Sequence, residues 1–132
     1  HNSDRRQRQM CIRDSHRKMY LKTGGANLRG ADHLEYTGAP GEIPNLAVIR
    51  FHLHPKVTAA MLANGSVLMK IRGSRVGWNF KADGAIAEID NSVYFEDGVR
   101  QSSQQIVLKA VINDIRTTGS HEVRWAFSRG TQ

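Results

Sequence analysis

One cysteine, three prolines and an absence of long apolar runs set the first limits on this 132-residue chain. Cys11 has no second cysteine to pair with, so an intramolecular disulfide is excluded and thiol chemistry has no support. The longest apolar runs span only a few residues, as in residues 46–49, so we expect no transmembrane helix. No apolar segment follows the basic start of the chain, so any export signal would have to lie upstream.

The common catalytic signatures are also missing. The sequence has no serine elbow, glycine-rich phosphate loop or Cys-x-x-Cys motif. Its carboxylates form no pair with the spacing of a glycoside-hydrolase dyad. Those considered are Asp32, Glu35, Glu88, Glu96, Asp97, Asp114 and Glu122, seven of the twelve carboxylates of the chain. We expect Asp114 and Glu122 in turns or on solvated strand faces.

The positive charge is concentrated at one end. The formal net charge is +7, which by itself would suggest a polyanionic binding partner. Residues 1–22 carry seven cationic side chains and two aspartates, a net charge of +5, which leaves +2 for the remaining 110 residues. A basic arm that binds nucleic acid is therefore the weaker interpretation, and we predict no nucleic-acid partner.

The basic end does not resemble the rest of the chain. Residues 6–15 (RQRQMCIRDS) have no strand or helix periodicity and resemble translated sequencing-adapter DNA, as found at the ends of metagenomic gene fragments. We therefore predict that residues 1–15 are a non-native or disordered segment and that residues 16–130 form the domain. Residue 16 is then expected to be a point where a longer protein was cut.

From residue 16 onward, apolar and polar residues alternate in short stretches, which predicts strands. In residues 48–54 the apolar set is Ile49, Phe51 and Leu53, and the polar set is Arg50, His52 and His54. Further strands are predicted at residues 17–22, 33–36, 67–72, 77–80, 85–89, 93–95, 106–112 and 123–127, and residues 57–62 are predicted as strand or loop. Glycine turns separate several of them, as at Asn64-Gly65 and Asp83-Gly84. Roughly eight to ten strands at this spacing predict an all-β fold, an antiparallel β-sandwich.

Aromatic residues fall into two groups by their spacing. Four lie at period two and are predicted to be core: Trp78, Phe80, Trp125 and Phe127. Three tyrosines are candidates for a surface that stacks on a sugar or a base: Tyr20, Tyr36 and Tyr94.

His52 and His54 are the only candidate metal ligands with a suggestive spacing. Residues i and i+2 of a strand share a face about 7 Å apart, so both imidazoles could bind one zinc ion. A third ligand would be needed, and the sequence leaves His33, His121, Asp32 and Glu35 open for that role. A general acid–base role is a second interpretation. The favoured one is that both histidines lie on the polar face of a half-buried strand.

Several stretches in residues 16–129 occur in an order and spacing that is similar to a known family. Residues 28–34 (LRGADHL) resemble its "L-x-G-E-D-x-L" strand and residues 50–55 its RFHLHP segment. The other stretches are His16-Arg17 followed by Leu21, residues 77–80, residues 92–94 with Gly98, residues 104–108 and residues 123–125. Together they resemble the C-terminal part of bacterial heparinase II/III-like proteins, which are polysaccharide lyases. Ala31 and Asn91 stand where glutamate is usual, so no role of those glutamates is carried over.

The resemblance implies a β-sandwich that follows an α/α toroid, and β-elimination on uronic-acid-containing polysaccharide. It also implies that the catalytic Tyr, Asn and His residues and any metal-binding His/Asp set lie upstream of residue 16. No catalytic residue is therefore assigned in this chain. We expect the distal part of a larger lyase sandwich, catalytically incomplete by itself, whose partners are the toroid and, through the parent, an acidic polysaccharide.

The resemblance also implies a periplasmic protein, and it leaves zinc open as a cofactor of the full-length parent. The short apolar runs predict no membrane contact. Two alternatives stay open: a stand-alone carbohydrate-binding β-sandwich module, and a β-domain that binds nucleic acid through its basic tail.

Overall fold

The computed structural model describes residues 12–37, 46–111 and 118–130, and within these ranges the chain forms nine strands and no helix. The strands are β1 (Ile12–Leu21), β2 (Asn27–Thr37), β3 (Leu46–His52), β4 (Val57–Met61), β5 (Val67–Ile71), β6 (Gly77–Asp83), β7 (Ile86–Glu96), β8 (Val99–Val111) and β9 (Thr118–Arg129). All pairs are antiparallel. The described residues therefore contain no helix that could cross a membrane.

The strands form two sheets that enclose one core. The larger sheet has the order β1-β2-β9-β6-β5-β4 and the smaller one the order β3-β8-β7. Their facing sides supply one cluster of buried apolar side chains, as period-two alternation requires. The predicted antiparallel β-sandwich is confirmed.

A few strand boundaries differ from those predicted. The segments 85–89 and 93–95 belong to one long strand, β7, and the ambiguous segment 57–62 contains strand β4. β1 begins at Ile12, so the predicted domain boundary before residue 16 falls inside this strand. Residues 1–11, with Cys11, and residues 112–117, with Asp114, lie outside the described ranges.

Aromatic side chains fill the centre of the sandwich. Phe80 and Trp125 are buried, and Trp78 and Phe127 pack against the buried cluster, as their spacing predicted. Phe51 enters this group from the smaller sheet. Its ring centroid lies 5.4 Å from Phe80, 4.9 Å from Trp125 and 5.7 Å from Phe127, the separations of favourable tilted and edge contacts.

An ion pair between the partly exposed Arg17 and the buried Asp32 joins edge strand β1 to this aromatic group. Arg17 on β1 donates from Nε to Asp32 Oδ1 at 2.6 Å and from Nη2 to Oδ2 at 2.9 Å. Trp125 donates from Nε1 to the same Oδ2 at 3.2 Å. The Asp32 side chain is only 5% exposed, so it requires these donors, and the carboxylate hydrogen bond raises the pKa of Arg17.

The guanidinium of Arg17 also contacts both sheets. Its Cζ lies 5.2 Å from the ring centroid of Phe51 and 5.4 Å from that of Trp125, within the range of cation–π attraction. A small residue is needed beneath the indole, and Gly30 supplies it. A Cβ at Gly30 would lie 2.6 Å from Cε2 of Trp125, well inside van der Waals contact.

A second polar contact connects the sheets at the opposite end of the larger one. The side-chain amide of Gln104 on β8 accepts from the backbone N–H of Ala59 at 2.8 Å and donates to its carbonyl oxygen at 3.2 Å. Ala59 lies on β4, the last strand of the larger sheet. The amide thus pairs with the β4 backbone much as a neighbouring strand would.

We expect Gly30→Ala to lower the free energy of unfolding by about 1–3 kcal/mol, because the added methyl group overpacks the site beneath Trp125. Gly77→Ala is the matched control, since a Cβ there would lie at an ordinary 3.6 Å from Leu68 Cδ1. Urea unfolding followed by tryptophan fluorescence measures both changes. Equal losses for the two variants would contradict the proposed close approach.

We expect Asp32→Asn to lower the free energy of unfolding by about 2–3 kcal/mol, because the partly exposed Arg17 loses its paired charge inside the sandwich. The control is Glu88→Gln, which removes a carboxylate from the exposed Glu88–Lys109 pair, whose atoms are 3.1 Å apart. That pair is expected to contribute less than about 1 kcal/mol. Thermal or urea unfolding tests both, and a control loss as large as that of Asp32→Asn would contradict the assigned role.

Candidate functional site

The two histidines of the RFHLHP segment lie at the end of β3, on the small sheet. His52 is exposed, and its Nδ1 lies 2.8 Å from Ser92 Oγ on β7. His54 follows the strand; its Nδ1 accepts from the backbone N–H of Lys56 at 3.1 Å. Its ring centroid lies 4.8 Å from that of Tyr94. Each imidazole therefore has its own protein contact.

The candidate third metal ligands do not join this pair. All of them belong to strands of the larger sheet, and each has another contact. Asp32 is bound by Arg17, His33 lies 3.8 Å from Glu35, and His121 Nε2 lies 2.8 Å from the carbonyl oxygen of Gly84. No group of three or more His, Cys, Asp or Glu side chains with metal-site geometry occurs among the described residues. Zinc binding by His52 and His54 would therefore need a ligand from elsewhere.

The contact between His52 and Ser92 resembles part of a nucleophile–base pair. Such a pair needs a third group that orients the imidazole through its other nitrogen. No hydrogen bond to Nε2 of His52 is found among the described residues. The neighbouring polar groups bond to each other instead. Arg50 Nη1 donates to Gln105 Oε1 at 3.2 Å, and Gln105 Nε2 donates to the carbonyl oxygen of Asn91 at 2.7 Å.

The three candidate tyrosines have different environments. Tyr36 is only 1% exposed, so its assignment to a surface that stacks on a ligand is wrong. It lies on the inner face of β2, where Gly119 leaves room for its ring. Tyr94 is half-buried beside His54. Tyr20, which is 72% exposed, is the tyrosine that remains free to stack on a ligand from solvent.

Tyr20 borders a depression of about 1030 Å³ on the outer face of the larger sheet, which we call the basic groove. Its charged lining residues are five cations and one carboxylate: Lys18, Lys22, Arg29, Lys81, Arg124 and Asp83. Small residues line it as well, among them Gly30, Ala31, Ala82 and Ala126. The remaining lining residues are Leu21, Thr23, Asn27 and Trp125.

Strand register explains how this groove is assembled. One row of paired residues runs across four strands as Tyr20, Arg29, Ala126 and Lys81. The adjacent row runs as Lys18, Ala31, Arg124 and Asp83. Cations thus lie on the outer strands β1 and β6 and on the central strands β2 and β9, where each arginine is paired with an alanine.

The charges of the groove are only partly neutralised. Arg124 donates from Nε to Glu122 Oε2 at 2.7 Å, and this hydrogen bond raises the pKa of Arg124 and lowers that of Glu122. Within the described part of the chain, Lys22, Arg29 and Lys81 form no salt bridge. The groove therefore keeps an excess of positive charge that is open to solvent.

The groove could not be predicted from the sequence, because its cations come from three segments separated by about fifty and forty residues. What Lys18, Arg29, Lys81 and Arg124 share is a position on the polar face of a period-two strand. Ala31, which stands where the family usually has glutamate, lies at the centre of one row of the groove. It pairs across the sheet with both Lys18 and Arg124, so the middle of this row has no carboxylate.

Comparison with known proteins agrees with the strand pattern. The family model described as "Heparinase II/III-like, C-terminal" matches residues 14–126. A curated relative, "FtsZ-localized protein C" of Caulobacter vibrioides (strain NA1000 / CB15N), is 32% identical over 120 residues. That alignment covers 86% of this chain and 20% of the relative, so the chain spans about a fifth of its length. Because the family match covers most of the chain, including most of its described sandwich, the chain belongs to the heparinase II/III-like C-terminal family.

Proposed function

We propose that this chain is the distal part of the β-sandwich of a polysaccharide lyase, and that it contributes structure and not the catalytic groups. The observation that carries the proposal is the family match over residues 14–126. In this proposal the substrate is a uronic-acid-containing polysaccharide, which the parent protein cleaves by β-elimination. The sandwich supports an α/α toroid that holds the catalytic cleft, and the parent acts in the periplasm.

The chemistry of β-elimination explains why we assign catalysis to other parts of the parent. One group must remove the proton at C5, a second must protonate the leaving oxygen, and a third must stabilise the charge on the carboxylate. In the exposed His52–Ser92 contact, the imidazole is one group able to transfer a proton. The cations of the basic groove are on the other sheet, so the described residues do not gather the three groups in one place.

The alternative is a carbohydrate-binding module that works by itself. The basic groove favours it, because cations and an exposed aromatic ring suit an acidic sugar chain. Both candidates predict binding to polysaccharide, and they differ in whether the parent protein turns it over.

A second candidate concerns where the parent acts. The relative "FtsZ-localized protein C" is named for its location, and its identity to this chain is 32%. A fluorescent fusion of the parent protein, imaged together with labelled FtsZ, tests whether it has the same location. Coincident signals support this candidate, and a uniform distribution argues against it.

The lyase proposal predicts that the parent protein, but not this chain alone, releases unsaturated uronate products from heparin or alginate. These products absorb ultraviolet light, so a continuous absorbance assay measures the reaction. A parent protein from which the region corresponding to residues 16–130 is deleted should lose most of its activity, because its sandwich is incomplete. Tryptophan fluorescence of the isolated chain shows whether it is folded, so that its lack of activity cannot be attributed to unfolding.

Turnover by the folded chain alone would contradict the assignment of the catalytic groups to other parts of the parent. A parent protein that folds and binds polysaccharide but never turns it over would favour the carbohydrate-binding alternative.

A further inference from the structure

We infer that the basic groove on the outer face of the larger sheet is a binding site for a linear acidic polysaccharide. The inference rests on the proposed function for the class of polymer, and it adds the site and the residues that bind it. The site lies on the side of the sheet that faces away from the sandwich core, since its charged residues alternate with more buried ones along β2, β9 and β6. On β1, Lys18 and Tyr20 pair with Ala31 and Arg29 of the same face.

The shape of the groove suits an extended chain. Lys18 and Tyr20 on β1 lie three strand spacings from Lys81 on β6, which corresponds to roughly 14 Å at about 4.8 Å per strand. Between these sides the floor is formed by the paired strands β2 and β9, with Ala31 and Ala126 among the small lining residues. A polymer can therefore lie along β2 and β9, where Arg29 and Arg124 project from the floor and each has an alanine beside it on the paired strand.

The charges of the groove specify an anionic chain with more than one charged unit. Lys18 and Lys22 lie on one side, Lys81 lies on the other, and Arg29 lies on β2 between them. These cations are spread from β1 across β2 to β6, so a single small anion cannot contact all of them. Carboxylate or sulfate groups that repeat along a polysaccharide can contact them in turn, with Arg29 able to bind a carboxylate through two N–H groups.

Tyr20 adds a contact that a purely electrostatic surface lacks. Its ring is exposed at the rim of the groove and pairs across the sheet with Arg29. The flat apolar face of a sugar can pack on this ring while its charged groups bind the neighbouring cations. Nucleic acid is the competing polyanion, but single-stranded binding sites usually place several aromatic rings in series along the groove. Here Tyr20 is the single tyrosine, and Trp125 is buried.

The test is binding of the 132-residue chain to heparin and to alginate oligosaccharides, measured by isothermal titration at low salt. Neutral dextran and single-stranded DNA of similar length are the comparison polymers. We expect binding to heparin and alginate that falls steeply when the ionic strength rises to about 1 M, because screening then acts over about 3 Å. We expect none to dextran and weaker binding to DNA.

Two variants locate the binding. Arg29→Gln combined with Lys81→Gln should weaken binding to alginate by about fivefold or more, since two charge contacts are lost. Ala31→Glu should weaken it by a similar factor, because a carboxylate then lies between Lys18 and Arg124. The charge-matched control is Arg72→Gln combined with Arg75→Gln, two exposed residues between β5 and β6 that do not line the groove. Thermal unfolding confirms that each variant is folded.

Equal weakening by the groove pair and the control pair would overturn the inference, because binding would then follow net charge alone. DNA binding as tight as alginate binding at the same salt would overturn the assignment to polysaccharide. The binding test and the lyase assay can fail independently. If the parent cleaves polysaccharide while the folded chain binds none, the inferred binding site is wrong and the proposed function still stands.

Discussion

The carboxylate of Asp32 is the polar group on which the arrangement of this sandwich depends. It is buried in β2, so an unpaired charge there would be costly, and the fold supplies Arg17 and the indole N–H of Trp125 as donors. Arg17 reaches it from β1, the edge strand opposite β4 in the larger sheet, and its guanidinium also lies over Phe51 of the smaller sheet. One ion pair thus connects an edge strand, a central strand and the opposing sheet.

The same ion pair also bears on the outer surface. Successive side chains of a strand point to opposite faces, so fixing Arg17 inward directs its neighbour Lys18 outward into the basic groove. By the same alternation, Tyr20 also points outward, to the rim of the groove. The position of one wall of the groove therefore depends on a contact in the interior, although no residue of the ion pair lines the groove itself. One face of β1 thus contributes to the core contact, and its other face contributes to the candidate binding surface.

Much of the fold could be predicted because period-two alternation is a local signal. It identified most of the strands, the turns at glycine and the aromatic core positions such as Phe80 and Trp125. Tyr36 was misplaced because a tyrosine suits both a surface and an interior, and only Gly119 on the paired strand β9 shows that its ring has room inside. The ion pair of Asp32 could not be predicted, since it depends on the register between β1 and β2.

The candidate site was harder to predict than the fold for a related reason. The histidines of RFHLHP attracted attention because they are close in sequence, and the structure gives each a separate partner, Ser92 or Tyr94. The groove residues are distant in sequence, and they become neighbours only when β1, β2, β9 and β6 pair in this order. Sequence spacing reveals sites within one strand, whereas sites that cross a sheet require its topology.

The amide of Gln104 has a consequence for how this molecule meets others. Strand β4 ends the larger sheet, and an end strand can recruit a strand from another molecule through its free N–H and C=O groups. Gln104 occupies both groups of Ala59, so an incoming strand would first have to displace a contact that also holds the two sheets together. Because hydrogen bonds are directional and apolar contacts are not, the amide also opposes sliding of one sheet over the other. A single side chain from the small sheet thus limits self-association at the edge of the large one.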